Sequence, residues 1–169
     1  MTTAGRSNNP SVTVDQHLAY EVDQMCDCLD LLQEVWPAMH GATPARMAEG
    51  TAYFEAALLH MRNLIEFLVR GHSASDDSIG PSDVGLPFYD YGPARSRFAE
   101  GMDEDVETAY GRICTYVSHL SRARSFGAPE WALQPLRDVL LDEMRRLAEA
   151  AEAAGYELPQ VSAALARQA

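Results

Sequence analysis

The sequence predicts an all-α protein: a four-helix bundle with a long Gly/Pro-rich loop between helices 2 and 3 and a short C-terminal helix. Three observations predict it. Apolar residues recur at spacings of three and four along four long stretches. No alternating pattern of useful strand length occurs. Glycines and prolines crowd one internal segment, residues 71–101, which holds Gly71, Gly80, Gly85, Gly92 and Gly101 with Pro81, Pro87 and Pro93.

Residues 1–12, rich in Ser, Thr, Asn and Gly, read as a disordered leader, which leaves 13–169 as a single helical-bundle domain. Thr13 or Asp15 is placed to cap the first helix, which is expected to reach about Val35. Leu18, Val22, Met25, Cys28 or Leu29, and Leu32 form its apolar stripe, and Glu21, Asp23, Asp27, Asp30 and Glu34 an acidic face. After Pro37 and Gly41, Thr43-Pro44 gives an N-cap and a proline at the first helical position. The second helix should then run to Arg70, with Tyr53, Phe54, Ala57, Met61, Leu64, Ile65 and Leu68 on one broad stripe and Gly71 as its terminator.

The loop that follows carries Phe88, Tyr89, Tyr91 and Phe98, and these aromatics are expected to pack against helices two and three. A third helix is predicted from Asp103 to about Arg124, with acids in its first turn and Arg122 and Arg124 in its last, as the helix dipole favours. Its seam is Val106, Tyr110, Ile113, Val117 and Leu120. The fourth should run from about Glu130 to Ala154 through Trp131, Leu136, Leu140, Met144 and Leu147, and a short Gln160–Arg167 helix should close the bundle.

Composition narrows the function classes. The formal net charge is −12 and all thirteen basic residues are arginine. That balance opposes nonspecific binding to a nucleic-acid backbone, while leaving room for a local basic site, and offers no polybasic membrane anchor. No apolar run is long enough for a membrane span, and the N-terminal stretch lacks the apolar core of a secretory signal. Of the three cysteines, Cys26 and Cys28 point about 200° apart on a helix, which suits neither a disulfide nor a common zinc site. An odd cysteine count fits reduced thiols, so a cytoplasmic location is expected. Phosphate loop, dinucleotide fingerprint and nucleophile elbow are all missing, and no cofactor is expected.

The chemistry-bearing candidates are Arg112 and His119. Seven residues is nearly two helical turns, so the two side chains lie about 20° apart, one above the other, at the border of the apolar seam. A histidine titrating near neutrality can serve as general acid or base, and an arginine can stabilise charge on a pentacoordinate phosphate. This arginine–histidine spacing on the third long helix resembles the R-x4–6-H motif of the HEPN superfamily of helical domains, many of them metal-independent ribonucleases of toxin–antitoxin and antiphage systems. The resemblance implies a homodimer in which Arg112 and His119 of both chains meet at a composite RNA-cleaving site.

Four further residues are candidates for substrate binding. Arg122 and Arg124 extend a cationic strip beside His119 on an otherwise acidic molecule. His60 and Asn63 share an edge of the second helix's stripe, and a packed helix pair would set His60 beside His119 as part of a phosphate pocket. Alternatively, His60 is a core-edge residue hydrogen-bonded across a helix pair. Arg62 and Glu66 read as a solvated ion pair on the outer face. A mononuclear metal site from His60, His119 and Asp76 or Asp77 is a weaker arrangement, and no metal is assigned. The competing function is a noncatalytic helical domain that binds a protein partner.

Overall fold

A computed structural model describes residues 10–38, 41–70, 89–118 and 132–168. These form six α-helices: α1 (Pro10–Val35), α2 (Pro44–Ile65), α3 (Tyr91–Met102), α4 (Val106–Ser118), α5 (Leu133–Ala153) and α6 (Pro159–Arg167). A 3-10 turn, Trp36–Ala38, follows α1, and a π-helical turn, Glu66–Arg70, prolongs α2. The all-α class stands, but six helices among the described residues replace the four-helix bundle. Among the described residues no helix is long and apolar enough to cross a membrane.

The main correction falls inside the expected loop, where Tyr91–Met102 is helical. Asp90, in extended backbone, accepts a hydrogen bond from the Gly92 N–H at 2.9 Å and starts the helix. Pro93 lies in the first turn, where a missing N–H costs no hydrogen bond. Ala94 and Phe98, one turn apart, are fully buried. The helix stops at Asp103, whose φ of 52° is left-handed. Gly92 and Pro93, read as loop punctuation, therefore belong to a helix start. Residues 71–88, the rest of the expected loop, lie outside the described residues.

Two other boundaries shift. The acids expected in the first turn of the third long helix mostly precede it. Asp105 caps α4, accepting from the N–H groups of Glu107 at 3.1 Å and Thr108 at 3.0 Å. α1 begins at Pro10, inside the expected leader, so neither Thr13 nor Asp15 caps it. Thr43 caps α2 as expected, accepting from Arg46 N–H at 3.4 Å. At the far end of α5, Gly155 with φ 81° lets the Tyr156 N–H reach back to the Ala151 carbonyl at 2.9 Å.

α1 and α2 form an antiparallel pair, because Glu21 meets His60 and Asn63 while Cys28 lies near Tyr53, further back along α2. α4 crosses α2 antiparallel, with Tyr110 at Arg62 and Tyr116 packed edge-on against Phe54. α3 and α5 approach so closely at Gly101 that a Cβ there would sit 2.4 Å from a methyl of Val139. α3 also serves the end of α2. Tyr89 donates to the Leu68 carbonyl at 2.9 Å, and the Arg95 guanidinium bonds the carbonyls of Val69 and Arg70. A cation thus caps the carbonyl end of the π-turn.

α6 lies parallel to α1 and is fastened at both ends. The buried Asp15 carboxylate, 4% exposed, accepts from the Gln160 and Val161 N–H groups, each at 3.0 Å. Arg167 pairs with Asp23 at 2.5 Å. Flanked by α2 on one side and α6 and α5 on another, α1 buries both Cys26 and Cys28 despite their divergent directions.

Candidate functional site

α4 presents its apolar seam of Val106, Ala109, Tyr110 and Ile113 to the core, all buried. Arg112 flanks that seam with its side chain 34% exposed, and donates from Nη2 to Glu104 Oε2 at 2.8 Å. The border position read from the helix period is thus observed. Its carboxylate partner comes from the turn between α3 and α4 and orients the guanidinium. α4 is helical without a break from Arg112 to Ser118. His119, Arg122 and Arg124 lie outside the described residues.

His60 and Asn63 take a different place. His60 Nδ1 lies 2.7 Å from Glu21 Oε2, which also accepts from Asn63 Nδ2 at 3.2 Å. Tyr20 meets the imidazole edge-on with centroids 5.7 Å apart. This flank of α2 faces α1. The flank that faces α4 carries Arg62 and Glu66, so among the described residues His60 and Asn63 bond toward α1 and do not line a pocket on the α4 side. His60 is instead a core-edge residue bonded across the α1–α2 pair. With Asp76, Asp77 and His119 outside the described residues, no group of three metal-ligating side chains occurs among those described.

Arg62 and Glu66 are also not the solvated pair that their spacing implied. Both converge on the Tyr110 hydroxyl, which accepts from Arg62 Nη2 at 3.1 Å and donates to Glu66 Oε2 at 3.1 Å. The Arg70 guanidinium stacks 4.3 Å above the Tyr110 ring and bonds Glu107 at 3.2 Å. Burial raises the Tyr110 phenol above its usual range, and the hydrogen bond from Arg62 opposes this only in part. Two guanidiniums thus gather on α2 beside α4, each matched by a carboxylate. A phosphate could exchange for either carboxylate, because both offer acceptor oxygens to the same donors.

A second unforeseen constellation joins α3 to α5. Glu143 is 1% exposed, and Arg97 grips both its oxygens, at 2.5 and 2.7 Å. Arg146 adds a longer contact at 3.7 Å, and burial pushes the neighbouring Tyr89 phenol well above its usual range. A groove of about 340 Å³ opens beside the pair. The signal was present in the sequence. Glu143 occupies a seam position in the series Leu136, Leu140, Glu143, Leu147, and an acid there needs a buried partner. The partner itself was hidden in the segment read as loop.

Nucleophilic chemistry finds no support at the paired cysteines. Burial raises the thiols of Cys26 and Cys28, which keeps them protonated and inert. No family model, no curated protein and no solved structure matches the chain.

Proposed function

We propose that the protein is a HEPN-like, RNA-directed domain acting as a metal-independent ribonuclease, with Arg112 and His119 as its reacting pair. The observation that carries this is the unbroken helix from Arg112 to Ser118, with Arg112 held half-exposed at the seam border by Glu104. The seven-residue spacing in the sequence is what pairs His119 with Arg112, at nearly two turns of helical period. His119 acts as general base or acid on the ribose hydroxyl or the leaving oxygen, and Arg112 stabilises the charge that builds on phosphorus. Arg122 and Arg124 supply additional positive charge, and a homodimer brings two such pairs together. At the Arg62 and Arg70 cluster a phosphate binds only by displacing Glu66 or Glu107, so that cluster is a secondary contact at most.

The test is incubation of purified protein with mixed RNAs in the presence of a chelator. Cleavage should fall at least about a hundredfold in His119→Ala and in Arg112→Ala, the scale of a lost acid–base group. RNA that stays intact with the wild-type chain, or degrades equally with all three, refutes the reading. A second reading, a noncatalytic helical interaction domain, draws support from the same Glu104 contact, which satisfies the Arg112 charge within the chain.

A further inference from the structure

We propose that the groove between the end of α5 and the start of α6 is a binding site for a linear aliphatic polyamine. A groove of about 600 Å³ opens at that corner. Its α5 wall is one face of the helix, because Arg145, Ala148, Glu149 and Glu152 fall within about 100° at the helical period. Gly155, at φ 81°, then turns the chain, and Tyr156, Glu157 and Leu158 line the corner ahead of α6. The half-buried Ala148 and Leu158 and the buried Leu165 of α6 all pack with the core and give the groove an apolar base. Tyr156, 42% exposed, adds a ring at its edge.

Charge selects the occupant. Glu149, Glu152 and Glu157 are exposed in the lining, and none forms an ion pair among the described residues. The cation in the lining, Arg145, is matched at 2.6 Å by Asp142, which stands outside the groove. The carbonyl end of α5 adds negative partial charge. The opposing N–H end of α6 is already answered by the buried Asp15 carboxylate. The three carboxylates do not converge, since no three metal-ligating side chains gather around one point among the described residues. A compact metal ion would therefore meet them singly. Glu149 and Glu152 stand about 4.5 Å apart along the axis, and Glu157 lies beyond the turn. A polyamine carries several ammonium groups at about that interval, joined by methylene chains that the apolar base can cover. A second copy of this chain would set the same carboxylates against themselves. The proposal does not rest on the RNA reading, whose Arg112 lies on α4.

Spermidine is titrated into the full-length protein at low salt, and binding is followed by calorimetry and by amide resonances. The expected result is saturable binding at one site, with shifts centred on Tyr156, Glu157 and Leu158. Glu152→Gln/Glu157→Gln should weaken it at least about tenfold. Asp27→Asn/Glu34→Gln, which removes the same charge from exposed positions on α1, should leave it within about twofold of the wild type. Butylamine, one charge on a similar hydrocarbon, and hexaamminecobalt(III), three charges without hydrocarbon, should each bind at least about tenfold more weakly than spermidine. All four substituted carboxylates are exposed, and circular dichroism checks that the variants fold. No saturable binding, undiminished binding in the corner variant, equal weakening in the α1 variant, or equally tight binding of the cobalt complex overturns the proposal.

Discussion

Glu143 shows how one side chain organises its surroundings. A carboxylate at 1% exposure is tolerable only because Arg97 satisfies both oxygens. Glu143→Ala should cost about 3 kcal/mol in chemical denaturation, the low end for a broken buried pair because Arg97 keeps some access to water. Glu104 is a different case: its side chain is 18% exposed and that of Arg112 34%, so its removal should cost about 1 kcal/mol, less than loss of the fully buried Glu143. On the RNA reading, Glu104→Gln should tighten RNA binding severalfold in a filter or anisotropy assay, because it removes a carboxylate that competes with phosphate for Arg112. Weaker binding would instead make Glu104 a support that Arg112 requires. Asp105 carries a titration signature. Hydrogen bonds from the Thr108 side chain and backbone lower its pKa. Its contribution to α4 is therefore complete above the ordinary carboxylate pKa and is lost as pH falls through the depressed value. The Thr108 amide resonance should follow that acidic transition. At this scale the sequence revealed position but not partner: Arg112 at a seam border and Glu143 within a seam follow from the 3.6-residue period, whereas Glu21, Glu104 and Arg97 arrive from other elements.

Among the elements, α3 is the one the sequence concealed. Its twelve residues include Gly92, Pro93 and Gly101, the residues that usually interrupt helices. Tertiary contacts override that weak propensity. Gly101 is required by the approach of α5, so Gly101→Ala should cost about 1–3 kcal/mol by overpacking, and Val139→Ala in the same chain should recover part of the loss. A full-cost substitution with no rescue would place the strain elsewhere. The stripes of α1, α2 and α5 were legible because each repeats over several turns. The π-turn at Glu66–Arg70 was not. It buries Phe67, Leu68 and Val69 in succession where α3, α4 and α5 converge, an environment that no single helix announces.

The whole molecule is joined across great sequence separation. Asp15 bonds Gln160 and Val161 from 145 and 146 positions away, and Asp23 holds Arg167 from 144. Asp15→Ala should therefore release α6 before the rest of the domain opens, at a cost of about 1–2 kcal/mol, the range of a lost helix cap. Hydrogen exchange should show α6 amides losing protection first, with α2 and α5 little changed. The fastening also orders events in time. While the chain is being synthesised, α1 emerges early with an Asp15 side chain that has no α6 amides to accept from. The two N–H groups that meet it lie some 145 positions further along the chain, in α6. Until α6 is made, that end of α1 packs on α2 with its carboxylate still waiting for a backbone partner.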